Sequence, residues 1–443
     1  MSAVSKIAAT FLKRTSLANG VPSGPPVDVS KIVGGVINDI RTKGDTAVRT
    51  YSEKFDKWSP KSFRLTQPEI NGIISKVSKT TLDDIKTVQD SVRRFALAQR
   101  ATIQDLEMEL RPGVILGHKN IPIGSVGAYI PGGRYPLLAS AHMTIVTAKA
   151  AGVERVVACT PPIMGEIPAA TIAAMHYAGA DEIYVLGGVQ AVAAMSLGTE
   201  TMGKVDFIAG PGNSFVAEAK RQLFGEIGID LPAGPTEVLI VADEKADPTV
   251  VATDLLSQAE HGPDSPAVLI TTSEEVGRKT IEEVDRLLKV LPTAGLASTS
   301  WTTFGEVIVV PTMDEAFALA DTYASEHVQI LTETPRDALT KMSNYGALFL
   351  GEKTCVSYGD KVIGTNHVLP TKGAARFTGG LWVGKYLKNC TYQMVTSAKE
   401  SGELGRLCGR AARAENFEGH ARSGDIRAQK FLNDKFEWLE AKP

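Results

Sequence analysis

The chain is poor in cysteine, in excess charge and in long apolar runs. Its four cysteines, Cys159, Cys355, Cys390 and Cys408, are scattered among 443 residues without a CxxC pair. That usage reads as free thiols in a reducing compartment, taken as the cytoplasm, and excludes a disulfide-stapled fold. Lysine and arginine number 47 against 50 aspartate and glutamate, a formal net charge of −3. With no cationic excess to displace phosphate counterions, nucleic acid is not an expected partner. No uninterrupted apolar run reaches membrane-spanning length, so no membrane partner is expected either. GxGxxG, the standard dinucleotide fingerprint, is absent. Acidic residues are missing from residues 1–27, which carry Lys6, Lys13 and Arg14. That composition fits an organelle transit peptide, but an amphipathic arm using Ile7, Phe11 and Leu12 is the preferred reading.

What is present describes a soluble globular protein, with 43% hydrophobic and 22% charged residues. The length calls for two or more domains. From Val29 to about Ala101 apolar residues recur at three and four, as in VSKIVGGVINDI, which predicts helices. Between Ser125 and Gly228 short β-rich runs (VGAYIP, RVVACT, EIYVLGG, VDFIAG) alternate with helical ones, the pattern of βα units on a parallel sheet. A second such series follows from TEVLIVAD to ALFLG. After Gly351 the chain turns glycine- and lysine-rich and ends in a polar helical tail. The expected fold class is α/β: two Rossmann-like parallel-sheet domains plus a small helical C-terminal appendage. The expected boundaries are an N-terminal arm at 1–27, a discontinuous α/β domain from 28–128 and 237–378, a second α/β domain at 129–236, and a dimerisation appendage at 379–443.

Three glycine turns, Pro131-Gly132-Gly133, Gly187-Gly188-Val189-Gln190 and Gly210-Pro211-Gly212-Asn213, each follow an apolar strand. In open α/β sheets ligands bind beyond the carboxyl ends of strands, and a helix start offers free N–H groups to a phosphate. Each turn alone is ordinary βα turn chemistry; three on one sheet edge point to a dinucleotide crevice. Elsewhere Gln258 and His261, three apart at the end of a periodic segment, face the same way, and an amide oxygen with an imidazole nitrogen can begin a metal site. Downstream lie Ser325-Glu326-His327, Gly359-Asp360 followed by Gly-Thr-Asn-His through His367, and Glu415 with His420. Together these supply a fourfold metal shell and a separate Glu-His pair.

The segments VGAYIPGG, LGGVQA, GPGN, AGPTEVLIVAD, SQAEHGPDSPAVLIT, SEHVQI and GDKVIGTNHVLPT, in this order over nearly the whole chain, resemble the histidinol dehydrogenase family. The resemblance implies Zn2+ held by Gln258, His261, Asp360 and His420, with Glu326 and His327 as the catalytic pair. It implies NAD contacts at Tyr129, Gln190 and Asn213, and substrate contacts at Thr236 and Glu415 as well as at the zinc ligands and His327. It also implies a homodimer with shared active sites, His420 and Glu415 coming from the other subunit, and oxidation of a primary alcohol through an aldehyde to a carboxylate. Manganese or cobalt would suit the same nitrogen and oxygen donors. Arg134-Tyr135-Pro136-Leu137, Ala139 to Met143 and Gly379 to Lys385 depart from typical members and look like the sulfopropanediol dehydrogenase branch. Arg134, His142 and Lys385 would suit an anionic substrate group, or equally a surface or cofactor-phosphate role. The expected substrate is 2,3-dihydroxypropane-1-sulfonate, with L-histidinol as the alternative and a zinc-binding non-catalytic homologue as a third reading.

Overall fold

The computed structural model describes residues 7–16, 28–132, 136–231 and 234–440. By its internal contacts the chain divides into one unit of residues 1–100 and 123–386, and another of residues 101–122 and 387–443. Strands are numbered in chain order.

The first unit holds two sheets. One has six strands, β1 (Thr10–Lys13), β9 (Val238–Ala242), β10 (Ala267–Thr271), β11 (Glu306–Val309), β12 (His327–Leu331) and β13 (Ala347–Leu350), in the order β1-β11-β10-β9-β12-β13. The other has β4 (Ser125–Tyr129), β5 (Arg155–Thr160), β6 (Glu182–Val185), β7 (Phe207–Ala209) and β8 (Gly228–Ile229), in the order β6-β5-β4-β7-β8. All pairings are parallel except that of β1 with β11. VLIVA, AVLIT and HVQIL are buried at every residue, the near-continuous apolar run of parallel strands covered on both faces. Leaving β1 aside, each sheet places its strands third, second, first, fourth, fifth. The order therefore reverses between β4 and β7, and again between β9 and β12, which are the two switch points.

These contacts redraw the expected boundaries. The helix Val29–Lys43 begins at Asp28, whose carboxylate accepts the Lys31 N–H, and it buries Val29, Val33, Val36, Ile37 and Ile40. That stripe shares a core with Val157, Tyr184, Val192 and Ile208 of the five-stranded half, not with residues 237–378. Helical periodicity identifies a face but not the sheet that receives it. The described part of the N-terminal arm is an edge strand, with Phe11 and Leu12 packed against the six-stranded sheet's cores. The appendage begins at Leu387, since Tyr386 is buried in the first unit and its hydroxyl donates to the Thr144 carbonyl at 2.9 Å.

In the second unit β2 (Leu106–Arg111), β3 (Val114–Pro122) and β14 (Leu387–Val395) form an antiparallel sheet in the order β14-β3-β2. The helices Ala398–Ala414 and Glu418–Leu432 pack closely together. Glycine makes that approach possible: a Cβ on Gly405 would overlap the Gly424 carbonyl, and one on Gly424 the Gly405 carbonyl. No described helix is long and apolar enough to cross a membrane. All four cysteines are free, and Cys159 is buried.

Candidate active site

His327 opens β12, and its backbone neighbour across the sheet is Val238, the first residue of β9. Thr236, Glu237, Glu326 and His327 therefore gather at the amino ends of these two adjacent strands. One Glu326 carboxylate oxygen, Oε2, accepts from the Thr236 hydroxyl at 2.7 Å and from the Glu237 N–H at 2.9 Å. His327 Nδ1 lies 3.0 Å from the Glu237 carbonyl oxygen. A carbonyl can only accept, so Nδ1 carries a proton, and Nε2 is the nitrogen that holds the lone pair whenever the ring is neutral. That Nε2 is buried, has no hydrogen-bond partner, and lies 3.4 Å from Asp360 Oδ1. Burial pushes Glu326 up to about 7, against the opposing charge of His327. Burial also disfavours charge on His327, but Glu326 and Asp360 outweigh it and raise the imidazole to about 9.

Asp360 sits on the short helix Val356–Lys361. Burial works against its charge, but His327, His367 and Gln258 together hold the carboxyl below its ordinary range. Gln258 Nε2 donates to Asp360 Oδ2 at 3.1 Å, and Thr236 Oγ1 lies 3.2 Å from Gln258 Oε1. Thr236 has one proton, which the shorter contact to Glu326 claims. Turning the Gln258 amide over would let its NH2 donate to Thr236 and would place an oxygen where the nitrogen now meets Asp360. Two oxygens facing each other are what a cation between them needs. His261 follows the helix Pro248–Ala259 at the same end. Desolvation by the surrounding walls lowers its pKa, although the residue is exposed at the surface, and the Asp360 charge opposes that shift. The neutral form is the one that ligates. His367, also lowered by burial, to about 4, points Nδ1 at the Asp360 carbonyl at 3.1 Å and so braces the loop.

Among the described residues no group of three His, Cys, Asp or Glu side chains converges on one point. Gln258, His261 and Asp360 belong to the first unit, whereas Glu415 and His420 belong to the second, where both are exposed. Glu415 ends the helix Ala398–Ala414, and the His420 ring lies edge-on to Phe417 with centroids 5.2 Å apart.

Tyr129, Gln190 and Asn213 lie at the carboxyl edge of the five-stranded sheet. Tyr129 ends β4 and its hydroxyl accepts the Gly188 N–H at 3.0 Å. Gln190 Nε2 donates to Asp56 Oδ2 at 2.8 Å, while its Oε1 is buried without a partner. Asn213 caps the helix Ser214–Leu223, its Oδ1 accepting from Phe215 and Val216. Of the three cations assigned to an anionic substrate, Arg134 lies outside the described residues and Lys385 is half-buried. His142 is turned inside: burial lowers it to about 4. It is neutral near pH 7 and offers an anion no charge. Glu237 is the residue that motif reading passes over. Its N–H and C=O hold Glu326 and His327, and it lines a cavity of ≈ 410 Å³ with Ser325, Tyr323, Lys372 and Arg376. Its place beside Thr236 in AGPTEVLIVAD was the available signal.

Comparisons with known proteins identify the family. A family profile described as histidinol dehydrogenase matches residues 24–428. A histidinol dehydrogenase homolog from Shouchella clausii (strain KSM-K16) is 59% identical over 403 residues, 91% of this chain and 95% of the relative. The sulfopropanediol 3-dehydrogenase of Ruegeria pomeroyi (strain ATCC 700808 / DSM 15171 / DSS-3) is 45% identical over 428 residues, 96% of this chain and 97% of that one. The crystal structure of histidinol dehydrogenase from Elizabethkingia anophelis superposes with a TM-score of 0.88 at 35% identity, covering 93% and 95% of the two chains. This chain is a member of the histidinol dehydrogenase family and an oxidoreductase.

Proposed function

We propose that the protein oxidises a small polar primary alcohol through an aldehyde to a carboxylate, with NAD as acceptor and zinc in the site. The observation that carries this reading is the buried Nε2 of His327, left without a hydrogen-bond partner while the Glu237 carbonyl engages Nδ1, beside a carboxyl near neutrality. Gln258, His261 and Asp360 would hold the zinc, with His420 of a second subunit as fourth ligand. Bound there, zinc supplies Lewis-acid polarisation of the substrate oxygen. With Asp360 engaged by a metal, His327 would lose one of the two carboxylates that raise it, and its Nε2 is the atom that would take the hydroxyl proton. Glu326, poised near 7, then activates water against the aldehyde.

NAD is supported by the carboxyl edge of the five-stranded sheet, where the orphaned Gln190 Oε1 offers an acceptor. The homodimer is supported by the second unit, which leaves Leu106, Met108, Leu110, Tyr392, Met394, Leu407 and Phe417 exposed. Free cysteines and the balanced charge support a cytoplasmic setting. We take 2,3-dihydroxypropane-1-sulfonate as the substrate, on the resemblance to the sulfopropanediol branch. Histidinol is the second reading, since Glu415 suits an amine. The test is a panel of dihydroxypropanesulfonate, histidinol and other polyols with NAD after zinc loading. NADH production with the sulfonate at two equivalents per alcohol is expected. Preference for histidinol would replace the substrate, and no NADH with any alcohol would favour the non-catalytic homologue.

A further inference from the structure

We infer that a buried ion pair, Lys220 with Asp230, is a positioning device for the turn Gly210–Asn213 at the cofactor edge. The inference rests on the NAD reading above. Lys220 lies on the helix Ser214–Leu223 and is 1% exposed; Asp230 follows β8 and is 5% exposed. The two side chains are in direct contact. Lys220 Nζ also donates to the Gly210 carbonyl at 2.9 Å, and Asp230 Oδ2 accepts the Gly210 N–H at 2.8 Å. Both polar groups of one glycine are thus claimed by the two halves of one ion pair. The second oxygen of Asp230 accepts the Leu231 N–H at 2.6 Å, which fixes the carboxylate's own orientation.

Gly210 is an unusual residue to hold this way. Its φ of +124° is one that L side chains rarely adopt, and a Cβ would overlap the Tyr129 carbonyl oxygen. It follows β7 directly, at the switch point between β4 and β7, where an open α/β sheet binds its ligand. Three residues on, Asn213 caps the helix that carries Lys220. The turn is therefore fixed at both ends by one helix, through its cap and through a lysine about two turns in. Stability alone gives little reason for this arrangement, since a buried ion pair gains little over apolar residues of the same volume. What the pair supplies is one conformation of the Gly210 peptide, and with it the direction in which the next residues leave the strand. The pair touches no substrate and no reacting atom, so it acts through the turn.

The test is NADH binding, followed by fluorescence titration, in the zinc-loaded full chain and in Lys220→Met/Asp230→Asn. The double variant removes both charges together, so neither is left buried alone, and asparagine keeps an acceptor for the backbone. A folded variant should bind NADH about tenfold or more weakly, as expected for a misplaced binding element. The KM for NAD should rise with it, while the KM for the alcohol and the zinc content stay near wild type. A merely structural role would lower the melting temperature without that split. If the double variant does not fold, Lys220→Arg and Asp230→Glu keep both charges and shift the clamp by about one methylene, and the same split is expected. NADH affinity within twofold of wild type in any folded variant overturns the inference. Failure of the wild-type protein to bind NADH overturns the cofactor reading itself, and the clamp with it, before any variant is compared.

Discussion

At His327 two requirements meet in one ring. Nδ1 is committed to the Glu237 carbonyl, and Nε2 is kept free of hydrogen bonds although buried. An unpaired buried nitrogen is costly unless a ligand completes it, and here Asp360 at 3.4 Å marks the side from which completion comes. His327→Ala should slow both oxidation steps by a factor on the order of 10²–10⁴, the scale of a general acid-base group. Glu326→Gln keeps the shape and an acceptor for Thr236 and the Glu237 N–H, but removes the base. It should impair hydration of the aldehyde more than the first hydride transfer, so a single turnover should release nearer one NADH than two and leave trappable aldehyde. Equal loss in both steps would end that division of labour.

Among the elements, the two sheets repeat one strand order but carry their candidate residues at opposite edges. In the five-stranded sheet Tyr129, Gln190 and Asn213 follow the carboxyl-edge rule. In the six-stranded sheet the carboxyl-edge switch point is taken by Asp243, whose carboxylate accepts from Lys245 N–H at 2.9 Å and Glu333 N–H at 2.7 Å and so ties the ends of β9 and β12 together. The cluster of Thr236, Glu326 and His327 sits at the amino edge instead. The turn of π-helix His142–Val146 carries a separate consequence. Gln89 Nε2 donates at 3.0 Å to His142 Nδ1, which must therefore be unprotonated. With the folded pKa at about 4, below the ordinary value, neutral His142 contributes stability above the unfolded pKa, and the contribution is lost as pH falls towards 4. Between pH 7 and 5 that loss is about 2 kcal/mol. His142→Asn should remove it, read as a smaller shift in urea midpoint over that interval. His367 shares the direction, so some slope remains; an unchanged slope would sink the assignment. Much of this organisation was legible beforehand, because runs such as VLIVA and the glycine turns announce parallel strands and their loops. Three things were not. Periodicity did not say that Val29 to Ile40 joins the five-stranded half. No pattern revealed that His142 faces inward, since the Gln89 amide that meets it lies 53 residues away. And Glu237 acts through its backbone, which side-chain motifs do not record.

For the whole molecule, the proposed shared site requires residues of two units, taken from two chains, to act together. Gln258, His261 and Asp360 are framed by the six-stranded sheet, while Glu415 and His420 ride on a pair of helices whose own unit exposes much apolar surface. An isologous pairing of two chains would bury that surface and let each appendage complete its partner's site. His261→Ala and His420→Ala should then each be inactive alone. In a mixed dimer one composite site carries both defects and the other carries neither, so mixing the two inactive proteins should restore activity, approaching half of wild type per heterodimer. The wild-type protein taken through the same subunit exchange controls for losses in handling. If mixed dimers form, as shown by differently tagged subunits, and stay inactive while the control recovers, each chain must supply its own fourth ligand and the shared site is wrong.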